Sequence, residues 1–105
     1  MTADINNVFA NTVFYGLDFT FVNKEWGTIY TTIDANELDL FGLFLEEASK
    51  NACSYTSCDG TVFDVYMSDG NLRVRIYKDG VYVFISANDL TTNSIAKLNA
   101  AKSAR

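Results

Sequence analysis

The chain has 105 residues, 49% of them hydrophobic and 20% charged, which is the size and balance of one folded domain, 1–105, and not of a disordered or fibrous chain. It contains no histidine, no proline and two cysteines, so Ser-His and Cys-His nucleophile pairs, an HExxH zinc site and an imidazole base are all excluded. The net charge of -5 argues against a nucleic-acid or anionic-membrane surface, which needs a basic field.

The charge is uneven. Residues 1–64 carry ten acids against Lys24 and Lys50, whereas residues 65–105 carry six bases against Asp69, Asp79 and Asp89. The two halves can meet within the fold or face different partners. Met1 to Asn7 lacks the basic start and apolar core of a signal peptide, and no apolar run is long enough to span a bilayer. A cytoplasmic location is therefore expected, the host cytoplasm if the protein is viral. There Cys53 and Cys58 are thiols, and a zinc site built on this pair needs a second chain.

In chain order, the spacing of Ile5, Val8, Phe9 and Thr12 predicts a helix over Asp4 to Phe14, closed by Gly16. Leu17 to Phe21 alternates with period two, and Thr28 to Ile33 is β-branched, so the two are expected to form a hairpin across the Asn23–Gly27 connection. Asp34 and Glu37 have the spacing of a capping box. Leu38, Phe41, Leu45 and Ala48, widened by Phe44, then form the apolar stripe of a helix that covers the core. Gly42 within it marks close packing, expected on the sheet. Asn51 to Gly60 reads as a polar loop.

Three apolar runs follow, 61–67, 72–77 and 81–86, punctuated by Asp69-Gly70 and Asp79-Gly80. Two-residue type I′ turns at these dipeptides set the register. Phe63 then faces Ile76, Val65 faces Val74 and Met67 faces Leu72. In the second hairpin Ile76 faces Val83 and Val74 faces Ile85, all on one side. The opposite side collects Asp64 with Arg75, Tyr66 with Arg73, Tyr77 with Tyr82, and Arg75 beside Phe84. Ser86 to Arg105 is expected to be helical, with Leu90, Ile95, Leu98 and Ala101 as its stripe. The order α-β-β-α-β-β-β-α is that of an α+β domain: an N-terminal hairpin and a three-stranded meander in an antiparallel sheet, with helices packed on it. In topology it is similar to cystatin-like and secretion-chaperone-like domains.

Chemistry finds little support. Glu46 and Glu47 are adjacent on a helix and diverge by about 100°. Ser54, Thr56, Ser57 and Cys58 are nucleophile types without a nearby base. No calcium loop or phosphate-binding glycine loop is present, and no cofactor or metal is expected. The outer side of the meander is more informative. A solvated face is usually Lys, Glu, Thr or Ser, whereas here Tyr66, Tyr77, Tyr82 and Phe84 interleave with Arg73 and Arg75, the residue types of binding hot spots. The plain alternative is that these are stabilising cross-strand pairs, or that the last helix covers them.

A second candidate is acidic. Asp34, Glu37, Asp39, Glu46 and Glu47 along one helix can imitate phosphates; the plain alternative is a solvated face. In size and charge the chain resembles small acidic α+β phage proteins that block host defence nucleases. The expected function is a non-enzymatic protein-binding module, a regulator or inhibitor of a larger protein such as a nucleic-acid-handling complex, with a phage anti-defence (anti-CRISPR or anti-restriction) inhibitor as its specific form. The alternatives are a homodimeric chaperone-like or structural domain and a single-stranded nucleic-acid binder. No membrane partner is expected.

Overall fold

The two Asp-Gly dipeptides organise the C-terminal half. Asp69, Gly70, Asp79 and Gly80 all have positive φ, at 51°, 81°, 51° and 82°, the left-handed pairs that a type I′ turn requires. They join β5 (Val62–Ser68), β6 (Asn71–Lys78) and β7 (Val81–Ser86) in the expected register, with Val65 opposite Val74 and Val74 opposite Ile85. Phe63, Val65, Val74, Ile76, Val83 and Ile85 are all buried on the inner face. Met67 shares their parity but lies beside the turn, outside the core, and is 58% exposed.

The computed structural model describes residues 6–13 and 16–103. Its first element corrects the sequence reading. Asn6–Val13 is a strand, β1, paired antiparallel with β2 (Gly16–Asn23) from Asn6↔Asn23 to Val13↔Gly16; Asp4, Ile5 and Phe14 of the expected helix lie outside the described residues. Asn, Thr and Val are poor helix formers, and the open edge of β2 offers this segment backbone partners. Val8 and Ala10, two apart, pack against the core as a strand requires. Gly16 opens β2 instead of closing a helix.

β2 continues into β3 (Gly27–Ile33) as the expected hairpin. Asn23 holds its turn: Oδ1 accepts the Glu25 and Trp26 amides at 2.9 and 3.2 Å, and Nδ2 donates to the Tyr82 carbonyl at 2.8 Å, tying this sheet to β7.

A 3-10 turn, Ala35–Glu37, leads into α1 (Leu38–Ala48), which buries Leu38, Phe41, Phe44, Leu45 and Ala48 as expected. Gly42 marks close packing against a helix, not a sheet. A Cβ there would lie 3.2 Å from Leu98 and 3.3 Å from the Lys102 ammonium of α2 (Ala87–Ser103). In α2 the buried stripe is Leu90, Ser94, Leu98 and Ala101, and Ile95 faces outward. Ser94 takes the inward position because its hydroxyl donates to the Leu90 carbonyl at 2.5 Å, which satisfies it inside the core.

The expected loop 51–60 contains a further strand, β4 (Cys53–Thr56), paired to the edge of β5 with Tyr55 opposite Phe63. The architecture is α+β, with sheets ordered β1-β2-β3 and β4-β5-β6-β7 and element order β-β-β-α-β-β-β-β-α. One core joins both sheets and both helices: Phe19, Phe41, Phe44 and Phe63 meet there with centroids 5.6 to 6.5 Å apart. Among the described residues no helix is long and apolar enough to cross a membrane.

Candidate functional site

The register that buries Val74 and Ile76 forces Arg73, Arg75 and Tyr77 to the other side of β6. There Arg73 stands between Tyr66 and Ser86, Arg75 between Asp64 and Phe84, and Tyr77 between Val62 and Tyr82. The Arg75 guanidinium donates to Asp64 at 2.9 Å, and its Cζ lies 6.0 Å from the Tyr82 ring centroid. Tyr82 sits at the centre of a run of rings, 4.6 Å from Tyr77 and 6.3 Å from Phe84. Arg75 and Tyr77 are exposed; Tyr66, Arg73, Tyr82 and Phe84 are half-buried. All six expected contact residues therefore share one face that retains access to solvent.

Sequence reasoning missed one member of this face. Trp26, in the β2–β3 turn, packs edge-on against Tyr82 at 5.2 Å and is still 53% exposed. The Asn23–Tyr82 hydrogen bond brings it there. A lone tryptophan in a polar turn was the available signal, but nothing local says which strand it meets.

Arg73 differs from Arg75. Its Nη2 is buried and has no hydrogen-bond partner. Arg73 also lines a groove of about 650 Å³ between the C-terminus of α1, the β5–β6 turn and the start of α2.

The acidic candidate fares differently. Glu37 is buried and does not belong to an outward acidic face. Its Oε1 accepts the Tyr55 hydroxyl at 2.6 Å and the Cys58 amide at 3.1 Å, while Oε2 accepts the Asp34 amide at 3.1 Å. Burial alone would raise its pKa, but the hydrogen bonds from Cys58, Tyr55 and the Asp34 amide outweigh it and hold the carboxyl below its ordinary value. Asp39 is 3.7 Å from the Lys102 ammonium, and the Glu47 carboxylate accepts a hydrogen bond from the Asn51 side-chain Nδ2 at 2.7 Å. Asp34, Asp39, Glu46 and Glu47 face solvent. They share that side of the protein with Leu40 and Leu43, each over 60% exposed, so apolar side chains interrupt the charge.

Asp59, in the loop after β4, gathers more partners than any expected site residue. Its carboxylate accepts the hydroxyls of Thr31, Thr61 and Ser57 and the amides of Thr32 and Thr61, and Lys78 approaches at 3.4 Å. These donors overcome the effect of burial and keep Asp59 well below the usual carboxylate range. A carboxylate held so firmly ionised is a weak proton acceptor, so it gives the neighbouring Ser57 no useful general base. Cys58 is pushed up to about 11, first by its hydrogen bond to Glu37, and burial pushes the Cys53 thiol up. Neither thiol is an activated nucleophile.

Comparison with protein-family models, with curated proteins and with solved structures returns no match for the chain.

Proposed function

We propose that this protein acts by binding another protein, as a regulator or inhibitor, and that the outer face of β5–β7 is its contact surface. The observation that supports this is the run of rings in which exposed Trp26 and Tyr77 flank half-buried Tyr82 and Phe84, interleaved with exposed Arg75. Tyr, Trp and Arg are the side chains that dominate interface energetics. Here a sheet already holds them in place, so docking orders few side chains and loses little entropy. An inhibitor of a nucleic-acid-handling complex is the specific form of this proposal.

Capture from the native cell, read by mass spectrometry, tests it. A partner retained by the native chain should be lost from Tyr77→Ala and from Arg75→Ala, each weakening binding by about 2 kcal/mol. It should be kept by Glu46→Lys combined with Glu47→Lys. The converse pattern moves the site to the outer side of α1. Self-association at micromolar concentration by sedimentation, with no captured partner, favours the homodimer instead.

A further inference from the structure

Resting on that reading, we propose that the groove beside Arg73 receives an acidic side chain from a peptide segment of the protein partner, with Arg73 as its carboxylate anchor and Lys50 as a second cation. Three observations meet there. The groove, about 650 Å³, is of a size that holds a few side chains. Arg73 lines it and carries a buried Nη2 with no hydrogen-bond partner. A guanidinium is always charged and offers a planar fork that matches a carboxylate, so an unpaired one is a site in want of an acceptor. Its long stem lets it swing towards the groove.

The remaining walls fit the same ligand. Lys50 stands at the end of α1, and no ion pair engages it among the described residues. Ser86, Ala87 and Asn88 bring the N-terminal end of the 17-residue α2 to the groove, where its dipole favours an anion. Part of that end is occupied, because the Ser86 hydroxyl accepts the Asp89 amide at 3.0 Å. Leu72 and Met67 supply apolar walls for the stem of a glutamate. Asp69 is the one acid on the lining and limits the groove to a single negative group. With two cations on a chain of net charge -5, a polyanion is repelled while one carboxylate is accommodated. Arg73 pairs with Tyr66 across the β5–β6 ladder, so the groove and the proposed contact face have Arg73 in common.

The test is a titration of the full ¹⁵N-labelled chain with a blocked peptide that carries one carboxylate, Gly-Gly-Gly-Glu-Gly-Gly, and with its glutamine twin. The glutamate peptide should shift the Arg73 side chain and the amides of Ser86 to Asn88, and bind about tenfold more tightly than the twin. Arg73→Gln should remove this preference. Arg73→Lys, which keeps the charge and loses the fork, should weaken binding severalfold and serves if Arg73→Gln does not fold. Equal shifts from both peptides, no shift from either, or full affinity in both Arg73 variants overturns the proposal. Tighter binding of a ten-residue oligothymidylate at the same amides replaces it with a nucleic-acid site. Concentration-dependent shifts of these amides without peptide assign the groove to a second copy of the chain and likewise overturn it. The outcomes separate from those of the contact-face reading: loss of the captured partner in Tyr77→Ala without peptide binding refutes the groove alone, and peptide binding with capture intact in Tyr77→Ala and Arg75→Ala refutes the face alone.

Discussion

The Tyr55 hydroxyl donates to the Glu37 carboxylate at 2.6 Å, across the junction between β4 and the turn that opens α1. The same carboxylate accepts the amides of Asp34 and Cys58. One buried acid thus caps the helix entry and fastens it to the edge strand of the other sheet. Tyr55 packs its ring on Phe41 and Phe44, so the polar latch and the core share a side chain.

Because the folded pKa of Glu37 is lowered, its stabilisation is fully present above the unfolded value near 4.5 and is lost as pH falls through the folded one. Glu37→Gln should cost about 1–3 kcal/mol at pH 7. Urea unfolding from pH 7 to pH 3 should show the gap between the native chain and this variant narrowing below the unfolded value. A gap of constant size across that range contradicts an ionised acceptor.

Asp59 joins Thr31 and Thr32 of β3 to Ser57 and Thr61 of the β4–β5 connection. Asp59→Ala leaves several donors without an acceptor and should destabilise by about 2–4 kcal/mol. Amide exchange should accelerate first at Thr32 and Thr61, the two amides that Asp59 accepts. Uniform acceleration throughout the molecule would assign the loss to the core instead.

Phe41 has no solvent exposure and contacts the rings of Phe19, Phe44, Tyr55 and Phe63. Phe41→Ala should cost about 3–5 kcal/mol because helix and sheets cannot close fully on the cavity. Thermal unfolding measures this directly, and an unchanged midpoint would place the α1 stripe elsewhere.

Gly16 and Gly80 resist substitution for different reasons. A Cβ on Gly16 would lie 2.7 Å from the Ile33 carbonyl oxygen, whereas one on Gly80 meets nothing within 4 Å and suffers only from its φ of +82°. Gly16→Ala should destabilise by about 1–3 kcal/mol through forced backbone movement. Gly80→Asn, whose side chain tolerates the left-handed region, should be far milder than Gly80→Val. Comparable losses in Gly80→Asn and Gly80→Val would contradict the conformational argument.

Cys58 is exposed, so its reactivity is set by ionisation and not by access. With its pKa raised from 9.0 to about 11, it should react with a thiol reagent at pH 8 about tenfold more slowly than in the urea-unfolded chain, because the smaller thiolate fraction is partly offset by the greater nucleophilicity of that thiolate. Glu37→Gln removes the negative acceptor that the thiol faces and should speed the reaction in the folded state. Equal rates before and after unfolding would refute the thiol–Glu37 interaction.

What sequence alone determined is whatever short-range chemistry dictates. Asp69-Gly70 and Asp79-Gly80 specify their own turns, and a two-residue turn leaves one register for Val65, Val74 and Ile85. The aromatic and arginine face of the meander was legible for the same reason, since register sends Arg75, Tyr77 and Phe84 to the opposite side together. The α1 stripe from Leu38 to Ala48 was equally plain, because 3.6-residue periodicity is a local property.

The tertiary structure decided everything that depends on a distant partner. Val8 and Ala10 suit a strand, Val8 and Phe9 with Thr12 suit a helix, and the open edge of β2 resolves the ambiguity. Cys53 and Tyr55 alternate with Ser54 and Thr56 in a polar stretch, yet four residues make a strand only when β5 pairs with them. Glu37 has one capping pattern in sequence whether its carboxyl meets water or Tyr55. Asp59 meets Thr31 from 28 residues away, and Trp26 reaches Tyr82 only because Asn23 anchors its turn on β7. Burial and pairing of polar groups are set by what packs above them, and no local pattern encodes that.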